Sequence, residues 1–230
     1  MRKLTIINAG ICLLLFTRIC FASPGHWWDG GPVFLPKNVI DAKTAAPPPP
    51  LLNSKQDDVD LKELLGFQRS RTTGDCARAQ SEVSVSLDAF FGPKYGPLTA
   101  EEVRAWTPFF EEVKMDANYF CHQVKHLWKR PRPYLVHSDV HPCIPLESTD
   151  SYPSGHATIA RVYAHVLSML DTKRSKVFEQ RANQIATDRV LGGVHNPSDI
   201  EAGQKIGDEV FSVLKTNFKF QNRLKEFSKP

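Results

Sequence analysis

The chain has no internal run of about 18 apolar residues, the length a helix needs to cross a bilayer. Strand-like alternation of apolar and polar residues is also missing, which argues against sandwiches and barrels. No C-x-x-C and no zinc-like Cys/His spacing occurs, and no carboxylate pair is set out to hold a metal. A charge excess is lacking too. The formal net charge is +4, but Arg2, Lys3 and Arg18 lie in the first 22 residues, which carry no acid. The remainder is close to neutral, so neither general nucleic-acid binding nor a polybasic membrane patch is expected. There is no internal repeat.

What is present begins with a leader. Arg2 and Lys3 precede a short apolar run, Ile6–Phe16, and the small residues Cys20 and Ala22 follow. This predicts a signal peptide over 1–22, cleaved after Ala22, with an uncleaved anchor as the alternative. The mature chain is then expected to be periplasmic or secreted, with no membrane span. Cysteine is scarce, five in 230 residues, and two of these leave with the leader. Of the other three, Cys121 falls inside a helical pattern and is expected to be a buried thiol. That leaves Cys76 and Cys143 as the disulfide pair, which an oxidising compartment permits.

Three segments follow from composition: 1–22 as the leader, 23–56 as an irregular Pro-rich stretch, and 57–230 as one helical domain. The polyproline run Pro47–Pro50 should form a stiff strap without hydrogen-bonded structure of its own. Its neighbours Leu51 and Leu52 suggest that it packs on the domain. Between 100 and 128, Val103, Trp106, Phe110, Val113, Ala117, Phe120, Val124 and Leu127 recur at helical spacing as one buried stripe. Thr99 and Glu102 cap its start, and Pro131 and Pro133 end it. Further helices are expected at 57–68, 75–91, about 155–170 and about 173–190, the last stopping at Gly192-Gly193. Another begins near Ser198, with Ser198 and Glu201 as its capping box and Ile206, Val210 and Val213 inward. The predicted fold class is all-α, a single-domain helical bundle.

Three clusters carry chemistry. Lys125 lies beside the long stripe and Arg132 sits between two prolines. Alone, with Lys129 and Arg130 nearby, this segment reads as a solvated basic patch. In SYPSGH, Ser154, Gly155 and His156 open a helix, where backbone N–H groups favour an anion. An ordinary cap followed by a core histidine is the alternative. In the third cluster, Arg189 is in phase with Phe178, Ala182 and Ile185, so a guanidinium faces the core and needs an anionic partner. That partner is either a ligand or an internal acid. His195 follows two glycines, and Asp199 comes four residues later, able to hold one imidazole nitrogen or simply to sit at a helix start. Together these groups describe an oxyanion site with a nucleophile and an acid.

The blocks Lys125…Arg132-Pro133, Pro153-Ser154-Gly155-His156 and Arg189…His195…Asp199 resemble the type-2 phosphatidic acid phosphatase superfamily in order and spacing. Within it, the chain looks most like the class A bacterial non-specific acid phosphatases, over roughly residues 45–216. The resemblance implies that Lys125, Arg132 and Arg189 bind phosphoryl oxygens, with Ser154 and Gly155 completing the cradle. It implies His195 as nucleophile, Asp199 as its orienter and His156 as proton donor, with no metal and no cofactor. Expected partners are small phosphorylated substrates. Oligomeric state, including a homo-oligomer, stays open. A vanadium haloperoxidase, a lipid phosphatase and a non-catalytic oxyanion binder are the competing readings. One position departs from the pattern: Asp188 stands where the family usually has Ser, and a carboxylate beside Arg189 would bear on anion binding and the pH optimum.

Overall fold

The computed structural model describes residues 31–227; the leader and its cleavage point lie outside them. Among the described residues there are nine α-helices and no strand: α1 Lys55–Ser70, α2 Thr73–Ser81, α3 Leu87–Phe91, α4 Ala100–Trp128, α5 Pro133–Val136, α6 Gly155–Leu170, α7 Ser175–Leu191, α8 Pro197–Leu214 and α9 Phe218–Phe227. None of them is long and apolar enough to cross a membrane.

α4 begins where the capping box places it. The Thr99 hydroxyl accepts from the Glu102 N–H, and the Glu102 carboxylate accepts from the Thr99 N–H. Its stripe is buried from Val103 through Val124, apart from half-buried Trp106, while Leu127 is 41% exposed because the last turn projects past its neighbours. The helix ends at Lys129, whose left-handed φ of 40° turns the chain into Arg130-Pro131.

α6 is the most apolar of the long helices and lies at the centre, packed on α7, α8 and α4. The approach of α8 depends on glycine. A Cβ on Gly203 would lie 2.5 Å from the Ser154 carbonyl oxygen, and one on Gly207 2.8 Å from the Arg161 Cβ.

Several boundaries differ from the sequence reading. α1 starts at Lys55 because Ser54 caps it. The stretch 75–91 is two helices, broken at 82–86, where the carbonyls of Glu82 and Val83 turn to His156. A 3₁₀ turn, Thr172–Arg174, precedes α7. α8 is capped by Asn196 with Asp199, two residues earlier than the Ser198–Glu201 pair, because Pro197 fits the first helical position. Val213 is half-buried and Leu214 takes the inward position instead. α9 adds a further short stripe, with Phe220 and Leu224 buried.

The segment before α1 is irregular and docked. The buried Asp116 carboxylate of α4 accepts the N–H groups of Val33, Phe34 and Leu35 at 2.7–3.1 Å. The Tyr152 hydroxyl donates to the Pro47 carbonyl. Leu51 and Leu52 do not hold the strap: they are 80% and 51% exposed, and the apolar anchors of the segment are Phe34, Leu35, Ile40, Ala45 and Ala46, which are buried in the core. Cys76 on α2 is joined to Cys143 in the α5–α6 loop, and Cys121 is a buried free thiol.

Candidate active site

The ends of α4, α6, α7 and α8 converge with the α5–α6 loop. α7 stops at Gly192, and Gly193 takes φ +82°, where a side chain would be strained and crowd Pro142. This turn delivers His195, 1% exposed, beside Asp199 in the first turn of α8.

The tautomer of His195 follows from its neighbours. Arg132 Nη1 lies 2.9 Å from His195 Nε2, and arginine can only donate. Nε2 is therefore the acceptor and Nδ1 carries the proton, directed at Asp199 Oδ2 3.3 Å away. The same carboxylate oxygen accepts from the Ser151 hydroxyl at 2.5 Å and the Asn196 N–H at 2.8 Å. The other oxygen, Oδ1, accepts from Arg130 at 2.8 Å. Burial, reinforced by the positive charge of Arg132, pushes the His195 imidazole well below its ordinary value, so it is neutral.

His156 lies in the first turn of α6. Its Nε2 is 3.2 Å from the Glu82 carbonyl and 3.3 Å from the Val83 carbonyl, so that nitrogen bears a proton. Burial, then Arg189, pushes the ring down to about 3, although Glu147 opposes the shift. Ser154 caps α6 by accepting from the Ala157 N–H, so its hydroxyl serves the helix as well as any ligand. Gly155 lines the same cavity as Lys125, Arg132 and His156, a space of about 290 Å³.

The three predicted cations differ in their partners. Lys125 is 5% exposed and donates to the carbonyls of Asp150, Ser151 and Pro153 at 2.5–3.3 Å. Burial pushes its ammonium down to about 8. Arg132 donates to the Thr149 and Val194 carbonyls at 2.8 and 2.9 Å. Arg189 is fully buried, and among the described residues its Nε has no hydrogen-bond partner.

Both arginines meet at Glu147, which the sequence reading missed. Its Oε2 lies 2.6 Å from Arg132 Nη2 and its Oε1 2.8 Å from Arg189 Nη2. Burial alone would raise this carboxyl, but the positive charges around it, with the Arg132 and Arg189 guanidiniums in contact, outweigh that and hold it well below the usual carboxylate range. A lone glutamate in an irregular loop has no periodicity to mark it. The only available signal was the demand of buried Arg189 for an acid.

Two further readings change. Arg130 is not part of a solvated patch. It is 7% exposed and reaches Asp57, Asp60 and Asp199 at 2.8–3.0 Å, whereas Lys129 is exposed. Asp188 does not load the cradle with negative charge. It is fully buried and held by Arg78 of α2 through two bonds of 2.7 and 2.8 Å. Among the described residues, no group of three or more His, Cys, Asp or Glu side chains could hold a metal ion.

The domain is all-helical and gathers two imidazoles, two guanidiniums and a lysine at its helix ends. Residues 114–219 match the family model described as the PAP2 superfamily. Over 204 residues it is 26% identical to a non-specific acid phosphatase of Salmonella typhi, covering 84% of this chain and 81% of that one. A bacterial vanadium-dependent iodoperoxidase shares the fold with a TM-score of 0.58 and 19% identity, over 77% of this chain and 54% of that one. This chain thus spans about half the length of that enzyme. The transmembrane PAP2-type phosphatidylglycerolphosphate phosphatase of Bacillus subtilis gives a TM-score of 0.54 at 20% identity, over 76% and 91%. At those identities the two structures speak to the fold alone.

Proposed function

We propose that this protein is an acid phosphatase that hydrolyses small phosphate monoesters through a phosphohistidine on His195, without a metal ion, in an exported, oxidising compartment. The observation that carries this reading is the arginine-fixed tautomer of His195, whose Nε2 lone pair meets the Arg132 guanidinium while Nδ1 faces Asp199. The disulfide fits the compartment.

In the forward half-reaction, a phosphoryl oxygen takes over the Arg132 Nη1 donor, the freed Nε2 lone pair attacks phosphorus, the P–N bond forms, and the bond to the ester oxygen breaks. His156 gives that oxygen its proton. The imidazole becomes positive as it is phosphorylated, and the Asp199 carboxylate stabilises that charge through Nδ1–H. Lys125, Arg132 and Arg189 neutralise the phosphoryl oxygens in the transition state. Water then attacks phosphorus, His156 accepts its proton, and His195 is restored.

The test is turnover of p-nitrophenyl phosphate by purified protein across pH, with and without EDTA and vanadate. Activity should be retained in EDTA and blocked by vanadate, which mimics the trigonal-bipyramidal phosphoryl group. Activity abolished by EDTA and restored by zinc or magnesium overturns the mechanism.

A further inference from the structure

We propose that Glu147 is a built-in competitor for the phosphate cradle, and that it makes the site select dianionic phosphate monoesters over monoanionic ligands such as phosphodiesters. The inference rests on the phosphatase reading and adds a residue and a selectivity to it.

The Glu147 carboxylate presents two oxygens to two guanidiniums, at 2.8 Å from Arg189 and 2.6 Å from Arg132. Two non-bridging oxygens of a phosphoryl group would require the same donors. Arg132 and Arg189 are 2% and 0% exposed, so neither can serve a ligand by turning outward. A phosphoryl group held by both must displace the carboxylate.

The loop is arranged for that exchange. The Tyr134 hydroxyl donates to the Glu147 carbonyl at 2.8 Å and accepts from its N–H at 3.2 Å. Four residues upstream, Cys143 is bonded to α2. The backbone is therefore pinned, whereas the Glu147 side chain is 25% exposed and borders the cavity. Side-chain rotation is enough to open the cradle.

Displacement sets a threshold. A carboxylate brings one charge and two acceptor oxygens. A phosphodiester also brings one charge and two non-bridging oxygens, so it gains nothing over the group it replaces. A monoester dianion brings a second charge and a third oxygen. When a binding-competent state is only fractionally populated, apparent affinity falls by that fraction, so a side chain seated nine-tenths of the time weakens phosphate binding about tenfold.

The experiment compares wild type, Glu147→Gln and Glu147→Ala. Inorganic phosphate affinity is measured by calorimetry, melting is followed with and without phosphate, and kcat/KM is measured for p-nitrophenyl phosphate and bis(p-nitrophenyl) phosphate. The expected result is phosphate affinity raised at least about fivefold in both variants, a larger phosphate-induced rise in Tm, and a narrower preference for monoester over diester. A residue that merely braces the two arginines would give lower melting with equal or weaker phosphate affinity. That result, or loss of fold in both variants, overturns the inference and leaves the phosphatase reading standing. A wild-type protein that neither binds phosphate nor turns over the monoester overturns both.

Discussion

His195 cannot donate from Nε2, because the group beside it is an arginine, and this single constraint separates the roles of the two histidines. His195→Ala removes the attacking atom, so turnover should fall to background for every ester. His156→Ala removes proton transfer alone, worth about 10²–10⁴-fold, and the loss should follow the leaving group. Glycerol phosphate should suffer most and p-nitrophenyl phosphate least; the reverse pattern between the two variants would exchange the roles. The pH dependence has the same origin. Burial and Arg189 push His156 down to about 3, and only its protonated form can donate. As pH rises the protonated fraction of His156 falls while the dianionic fraction of the monoester grows up to its second pKa of about 6, so kcat/KM for glycerol phosphate should stay level below that pH and decline above it, more steeply than for p-nitrophenyl phosphate. A phosphate dianion beside the ring favours its charged form, so kcat should bend at a higher pH than kcat/KM. A kcat/KM for glycerol phosphate that keeps climbing above about pH 6, where the monoester is already dianionic, contradicts this assignment. At this scale, Lys125, Arg132, His156, Arg189, His195 and Asp199 were legible because each sits in a block whose spacing ties it to a helix end. Glu147 and Arg130 were not, because their partners lie far away in sequence and only the fold shows that a charge among polar residues is buried.

Among the elements, α8 controls the site through a contact without side chains. Gly203 lets the helix lie against the Ser154 carbonyl, one residue before α6 begins. Gly203→Ala places a methyl 2.5 Å from that oxygen and 3.1 Å from the Ala157 Cβ, so α6 and α8 must separate. The expected cost is about 1–3 kcal/mol of stability, read as a lower denaturation midpoint, together with reduced kcat/KM as Gly155 and His156 move. An unchanged midpoint and rate would show that the helices have room to spare. α4 was legible in the sequence almost residue by residue, since its stripe is long and its cap is local. The break between α2 and α3 was marked only locally: Ser81-Glu82-Val83-Ser84-Val85-Ser86 is rich in weak helix formers, and Ser86 caps α3 by accepting from the Ala89 N–H. The apolar periodicity passes over that signal, and the use of the Glu82 and Val83 carbonyls by His156 adds a tertiary demand that the sequence does not show. The shift of the α8 cap to Asn196 has a similar reason, because Asp199 serves the cap and His195 together.

On the scale of the whole molecule, the disulfide closes a loop of 67 residues and ties α2 to the wall of the cradle. Replacing both Cys76 and Cys143 by Ser should lower stability by about 2–5 kcal/mol, seen as an earlier unfolding midpoint. The loss should exceed that of any change at buried Cys121 that keeps its volume. It should also lower kcat/KM, because α2 carries Arg78, the partner of Asp188, and leads directly to the carbonyls that hold His156. Equal midpoints with and without reductant would show that the bond adds nothing to the folded state. The all-helical class and the single domain were legible from periodicity and from the absence of alternation. The strap was visible as irregular, but its anchors were not, since Asp116 reads as an ordinary helix-surface acid until three N–H groups from residues 33–35 are found around it.

The docked segment at residues 33–35 sets an order of events. Phe34 packs edge-on against Phe109 and Phe220, its carbonyl accepts from Asn217, and the Val33 carbonyl accepts from Lys219. These partners stand 75 to 186 positions further along the chain. A polypeptide is made from its N-terminus, and contacts so distant in sequence must wait for the loop between them to exist and close. Residues 33–35 are made before α4 and α9; they can meet Asp116 and Phe109 once α4 exists, but their contacts with Asn217, Lys219 and Phe220 wait for the last described helix. Until then, Phe34 has Phe109 on one side but lacks Phe220 on the other, so this corner of the core closes last.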